Sequence, residues 1–185
     1  KAILSAFEAE QILKVPDLST PRGLRDRAIL ETLYATGVRR QELAALKIDD
    51  IDLENGRLMV RQGKGKRDRL LPLSERACAW IEKYLEESRF QISRGADDGS
   101  LFISHIGKRM HPEQMTKIVR RSIEAAEIEK PGACHLFRHT LATLMLEGGH
   151  GDSSRMYAIG EIPRRAERLI EVTYEAMMRG IAAIK

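Results

Sequence analysis

Three short stretches of this chain carry side chains suited to a single phosphate. Thr36-Gly37-Val38-Arg39-Arg40-Gln41-Glu42-Leu43 presents Arg39, and His135-Leu136-Phe137-Arg138-His139 presents His135 and Arg138. Between them lies Gly63-Lys64-Gly65-Lys66-Arg67. The planar fork of an arginine donates two parallel hydrogen bonds and keeps its charge, so Arg39 and Arg138 are candidates to hold the non-bridging oxygens of one phosphodiester. In a dry site, such donors stabilise a transition state whose negative charge rises. The competing role for Arg39 is a structural ion pair with Glu42 or Asp50.

Lys64, at a glycine-flanked tip, has the reach and charge to protonate a leaving 5′-oxygen, with Lys66 as its rival. Neutralising a DNA backbone without catalysis is the alternative for Lys64. His135 lies three residues before Arg138, which puts the two on one helix face. A histidine there can exchange a proton near neutral pH. His139 is expected to pack or to orient its neighbours. The acidic run Asp49-Asp50-Ile51-Asp52 reads as capping or solvated acids at a helix-to-strand connection, not as a metal site. A metal-dependent nuclease therefore fits poorly, and no cofactor is expected.

These residues need rigid elements behind them. Phe7–Leu13 reads as a helix closed by Pro16, and Gly23–Ala35 as a second that Thr36-Gly37 stops. A third, Arg40–Leu46, begins at once, so Arg39 sits at a helix junction. Arg57–Arg61 and Arg67–Leu71 read as two strands of a hairpin, preceded by the Asn55-Gly56 turn. Ser74 caps a helix running to about Ser88, followed by a loop from Gln91 to Ser100 and a third strand at Leu101-Phe102-Ile103. Pro112–Ala126 and Leu136–Leu146 are helical, the latter ended by Gly148-Gly149. From Pro163, Ala166, Leu169, Ile170, Tyr174, Met177, Ile181 and Ile184 mark an amphipathic helix. The expected fold is α+β: one mainly helical domain with a small antiparallel sheet.

The sequence has 185 residues, 43% hydrophobic and 31% charged, with a net charge of +4. That suits one packed domain and hints mildly at an anionic partner. Distribution says more. Six basic residues against one acid lie between Arg57 and Arg69. Arg61, Lys66 and Arg67 from this cluster are DNA-binding candidates. On the Pro112–Ala126 helix, Gln114, Lys117 and Arg121 are candidates for reading a major groove. No apolar run approaches the ~20 residues that span a bilayer, and no signal-like start is seen, so no membrane role and a cytoplasmic location are expected. Cys78 and Cys134 lack metal-ligand spacing and are expected to be reduced.

Ala35–Leu43, the Gly63-Lys64-Gly65 hairpin and His135–His139 closely resemble the tyrosine recombinase (phage integrase) family, above all its Xer-type members and related transposon recombinases. The match runs in order from about Ser5 to Gly149. It implies a catalytic domain that clamps double-stranded DNA, usually beside a separate helical DNA-binding domain, so the chain looks like a catalytic-domain fragment. It also implies a tyrosine nucleophile, a 3′-phosphotyrosyl intermediate, no metal or ATP, and a tetramer on DNA. Carried over, Arg39 and Arg138 bind the phosphate, Lys64 is general acid, and His135 assists proton transfer.

After Gly149 the sequence departs from the family, so residues 1–149 read as the core and 150–185 as an atypical end. The family normally has a further helix and a Leu-Gly-His segment before a Ser/Thr-rich approach to its tyrosine. Here Gly149-His150 runs almost directly into Ser153-Ser154-Arg155-Met156-Tyr157. His150 and Tyr157 match that order best, although Tyr157 lies only 19 positions after Arg138. Tyr174 lies 36 positions after Arg138 on the apolar face of the last helix, which favours packing. A catalytically inactive DNA-binding remnant is the alternative reading. The tail helix could dock on a neighbouring subunit or pack in cis.

Overall fold

The structure, a computed structural model, describes residues 3–61, 68–93 and 97–147. The chain divides into two compact units, Lys1–Leu141 and Ala142–Lys185, and the account below concerns the first. Lys64, Lys66, Arg67, His150, Tyr157, Tyr174 and the expected 163–184 helix all lie outside the described residues.

Helix α1 spans Ala6–Lys14, and its start is a capping box. The Ser5 hydroxyl accepts the Glu8 amide at 3.2 Å, while the Glu8 carboxylate accepts the Ser5 amide at 2.6 Å. Helix α2, Pro21–Thr36, opens with Thr20 accepting the Gly23 amide and with Pro21 where no amide hydrogen is needed. It closes at Gly37, whose φ of 56° is the left-handed turn a Cβ would strain. Helix α3, Arg40–Ala45, follows directly.

Strands β1 (Ile51–Asp52), β2 (Arg57–Val60) and β3 (Arg69–Pro72) form an antiparallel meander in the order β1-β2-β3. Leu58 faces Leu71, and Val60 faces Arg69 at the end where the connecting residues leave the two strands. Helix α4, Glu75–Tyr84, passes through a wide π-helical turn, Leu85–Arg89, into α5, Phe90–Ser93. Helices α6 (Pro112–Ala125) and α7 (Cys134–Glu147) complete the fold.

α2 is the central pillar. Ile29, Leu30 and Leu33 are fully buried, and the polar residues Arg27, Glu31 and Thr32 of the same helix are buried with them. Such a helix shows little amphipathic stripe because neighbours cover it all round. Its buried charges are paired. Arg27 donates to Glu31 at 2.9 Å and to the Leu13 carbonyl at 2.6 Å. Arg76 of α4 donates to Glu31 at 2.8 Å and also holds Glu10 of α1. Arg27 also lies over the Trp80 ring, 4.5 Å from its centroid.

Two sequence expectations fail. Leu101-Phe102-Ile103 is buried but forms no strand, only an isolated bridge from Ile103 to Arg109. Its backbone groups are shared among unrelated partners: the Leu101 amide donates to Leu46, and the Leu101 carbonyl accepts the Tyr84 hydroxyl. The Ile103 carbonyl accepts Arg25. Helix also continues past Ser88 to Ser93, where a loop was expected from Gln91. Burial of Ile92 rewards that extension, and Arg89 is clamped by Asp97 and by the Ser100 carbonyl.

Candidate functional site

The turn between α2 and α3 is where the separated arginines meet. Arg39 is the residue before α3, so its side chain leaves a fixed helix start and remains exposed. α7 packs directly on this turn. A Cβ at Gly37 would lie 3.1 Å from Leu141 and 3.4 Å from the Arg138 backbone. From α7, Arg138 donates Nη1 to the Gly37 carbonyl at 2.8 Å, bridging 101 positions of sequence. Arg39 and Arg138 are thus held at one turn, one by its backbone and the other by its guanidinium.

Glu42 organises this corner. Its carboxylate accepts the Arg39 amide at 2.9 Å and the Arg39 guanidinium at 3.2 Å. It also takes both prongs of Arg69 from β3, at 2.9 and 2.6 Å. Burial pushes its pKa up, but the Arg69 fork and the Arg39 amide outweigh burial and hold it below the ordinary value. Arg39 does pair with Glu42, as the structural alternative supposed, yet 42% of its side chain stays accessible. Glu42 thus pairs with Arg39 and Arg69 at the turn where Arg138 also docks. The Glu42–Arg69 fork also ties the connecting end of the β2–β3 hairpin to this turn, and the residues joining those strands include Lys64.

His135 sits one turn before Arg138, and both are exposed at the start of α7. Gly132 makes room for the imidazole: at its φ of 145°, an added Cβ would meet Nε2 at 3.2 Å. The His139 ring stands edge-on to His135 with centroids 6.0 Å apart. A buried thiol lies just before His135, and burial raises the pKa of Cys134.

The remaining candidates scatter around this corner. Arg61 donates to Asp50 at 2.5 Å, and this pairing raises its pKa. Asp50 also accepts the Lys47 amide, while Asp52 accepts the Asn55 amide, so these acids cap and turn the chain. Gln114 closes the capping box of α6 by accepting the His111 amide at 2.8 Å. Lys117 and Arg121 are exposed on the same helix. Arg40 joins α6 to the corner by donating to Glu113 at 2.7 Å and to Thr116 at 3.2 Å.

Sequence reasoning treated Glu42 only as a rival partner for Arg39 and gave Arg69 no role in the site. An acid three positions after the residue preceding a helix is a capping-box signal and could have singled out Glu42. Arg69 had no local signal, because its partner lies 27 positions away.

Comparison with known proteins places the chain in a family. Residues 2–160 match the model of the phage integrase family. Tyrosine recombinase XerC 2 of Ralstonia nicotianae is 48% identical over 149 residues, covering 80% of this chain and 43% of that protein. Tyrosine recombinase XerD of Listeria monocytogenes is 40% identical over 148 residues, covering 80% of this chain and 50% of its own length. Among solved structures, XerA recombinase superposes with a TM-score of 0.69 at 30% identity, over 80% of this chain and 50% of that one. XerH in a post-cleavage complex with a palindromic difH substrate gives 0.70 at 25% identity, over 91% and 48%. The chain spans about half the length of the curated relatives it matches. A family model covering most of the sequence, and a fold shared with solved Xer recombinases, establish that this chain belongs to the phage integrase family of tyrosine recombinases.

Proposed function

We propose that this chain is the catalytic part of a site-specific recombinase that cuts and rejoins double-stranded DNA through a 3′-phosphotyrosyl intermediate. The observation that carries this reading is the contact of the Arg138 guanidinium with the Gly37 carbonyl, two residues from Arg39. It makes one exposed cationic corner from elements remote in sequence. In the proposed reaction a tyrosine hydroxyl attacks phosphorus while Arg39 and Arg138 hold the non-bridging oxygens. The tyrosine loses its proton with help from His135, and the leaving 5′-oxygen takes one from Lys64. A 5′-hydroxyl then attacks the phosphotyrosine, reversing the roles and releasing the tyrosine. Bond energy is conserved throughout, so neither ATP nor a metal is required.

Tyr157 is the proposed nucleophile, with His150 beside it in sequence and Tyr174 as its rival. Arg61, Lys66, Arg67, Gln114, Lys117 and Arg121 are proposed DNA contacts. Assembly as a tetramer on DNA, service to a mobile element and a cytoplasmic location belong to the same proposal. No helix among the described residues is long and apolar enough to cross a membrane. A nicked suicide duplex tests the reading, since cleavage traps the protein on DNA. A covalent adduct that is lost in Tyr157→Phe supports it, and loss only in Tyr174→Phe moves the nucleophile. Retained DNA binding with no adduct overturns the enzymatic reading and leaves a DNA-binding module.

A further inference from the structure

The chain neighbours of Arg39 and His135 converge on one buried hydroxyl. Arg40 follows Arg39 at the start of α3, and Cys134 precedes His135 at the start of α7. Thr116, in the second turn of α6, is buried and receives both. Arg40 donates Nη1 to its hydroxyl at 3.2 Å, and the same nitrogen holds Glu113 at 2.7 Å. The Thr116 hydrogen itself goes to the Pro112 carbonyl at 3.2 Å, one turn back in the helix. The hydroxyl oxygen keeps two lone pairs. Arg40 takes one, and the buried Cys134 thiol, which is also hydrogen-bonded to Thr116, takes the other. Burial raises the pKa of that thiol, the Thr116 hydrogen bond lowers it, and the nearby Arg40 and Glu113 charges act on it in opposite directions.

Side-chain anchors of this kind fix the backbone beside them. Adjacent Cα atoms lie about 3.8 Å apart across a trans peptide, so holding Arg40 and Cys134 limits where Arg39 and His135 begin. Arg138 reaches the α2–α3 turn directly, through the Gly37 carbonyl. His135, one turn earlier on α7, is tied to Arg39 by way of Arg40, Thr116 and Cys134. α7 is thus pinned at two points, and the second sets how far the imidazole stands from Arg39.

We infer that Thr116 is a positioning residue, whose hydroxyl sets the spacing between Arg39 and His135 so that both meet one phosphate. The inference rests on the proposed roles of that pair in DNA cleavage. A misplacement of about 1 Å costs about 100-fold in rate, and Thr116→Val removes the hydroxyl with little change of shape. On a saturating nicked duplex, Thr116→Val therefore slows adduct formation about 100-fold, while duplex affinity and the unfolding midpoint stay unchanged. Thr116→Ser restores the rate. Arg40→Met alters an exposed side chain and slows the reaction as well. The two changes combined cost no more than the larger, because they cut one link.

Unchanged rates in both variants overturn the inference. So do independent losses that multiply in the double variant, or a slow reaction that more duplex restores, since that marks a DNA contact. A second readout needs no cleavage. Inorganic phosphate titrated into the protein shifts the Arg39 Nε–H and His135 Cε1–H resonances with one shared affinity, and Thr116→Val splits the two. Arg40→Met splits them likewise, so both tests survive a Thr116→Val protein that does not fold. Separate affinities in the parent, or a shared one that persists in the variants, overturn the spacing role. A parent that forms no adduct, yet shows the shared response split by these variants, defeats only the proposed reaction.

Discussion

Two carboxylates in this protein each grip two arginines, and they are built to opposite ends. Glu31, in the middle of α2, holds Arg27 and Arg76. There Glu10 supplies a second acid, and a backbone carbonyl and the Trp80 face cover what remains of the cations. Charge is balanced, and Arg27 is almost fully buried. Glu42, at the start of α3, holds Arg39 and Arg69, and Arg138 adds a further cation on the same turn. A closed network has nothing left to offer a ligand. The Glu42 corner keeps Arg39 exposed and pre-oriented by its carboxylate, as a phosphate site requires.

That contrast can be broken from either side. Glu31→Gln should have the largest effect, about 3–5 kcal/mol of folding stability, because it strands a buried guanidinium; urea unfolding monitored by Trp80 fluorescence measures it. Arg39→Ala or Arg138→Ala should leave the unfolding midpoint nearly unchanged and slow adduct formation about 100- to 1,000-fold, as losing a transition-state donor does. Comparable instability in those variants would make the two networks alike. Glu42→Gln lies between, with about 1.5–3 kcal/mol lost as hydrogen bonds to charged groups weaken. It should also slow cleavage more than it weakens DNA binding.

The smallest expected effect is a pH dependence away from both networks. The Arg109 amide, with Ser100 assisting, holds the Asp98 carboxyl at about 2, below its usual 3.8. Asp97 is lowered as well, chiefly by the Arg89 fork. A carboxyl depressed in the folded state stabilises above its unfolded pKa and loses that stabilisation as pH falls through the folded value. Stability should therefore decline between about pH 4 and pH 2, and Asp98→Asn should flatten this part of the acid-denaturation curve.

Much of this was readable locally. Ser5 with Glu8, Thr20 with Pro21, and Gly37 each announce a helix end through bonds or dihedrals within four residues. The hairpin strands and the α6 and α7 helices followed from period and turn residues in the same way. Leu101-Phe102-Ile103 misled because its apolar run reflected burial, while the backbone partners that make a strand were drawn elsewhere by Leu46, Tyr84 and Arg25. The stretch after Ser88 misled in the opposite direction, since its polar surface hid Ile92 and the clamped Arg89.

The sequence by itself determined where helices start and stop, and which side chains could bind a phosphate, since both depend on residue type and near neighbours. Only the tertiary structure decided that Glu31 closes a charge network and Glu42 leaves one open. It also decided that Arg138 reaches Gly37 and that Arg40 and Cys134 meet on Thr116. Those outcomes depend on partners between 14 and 101 positions away in the chain, and spacing along a sequence carries no record of which charge meets which once the chain has packed.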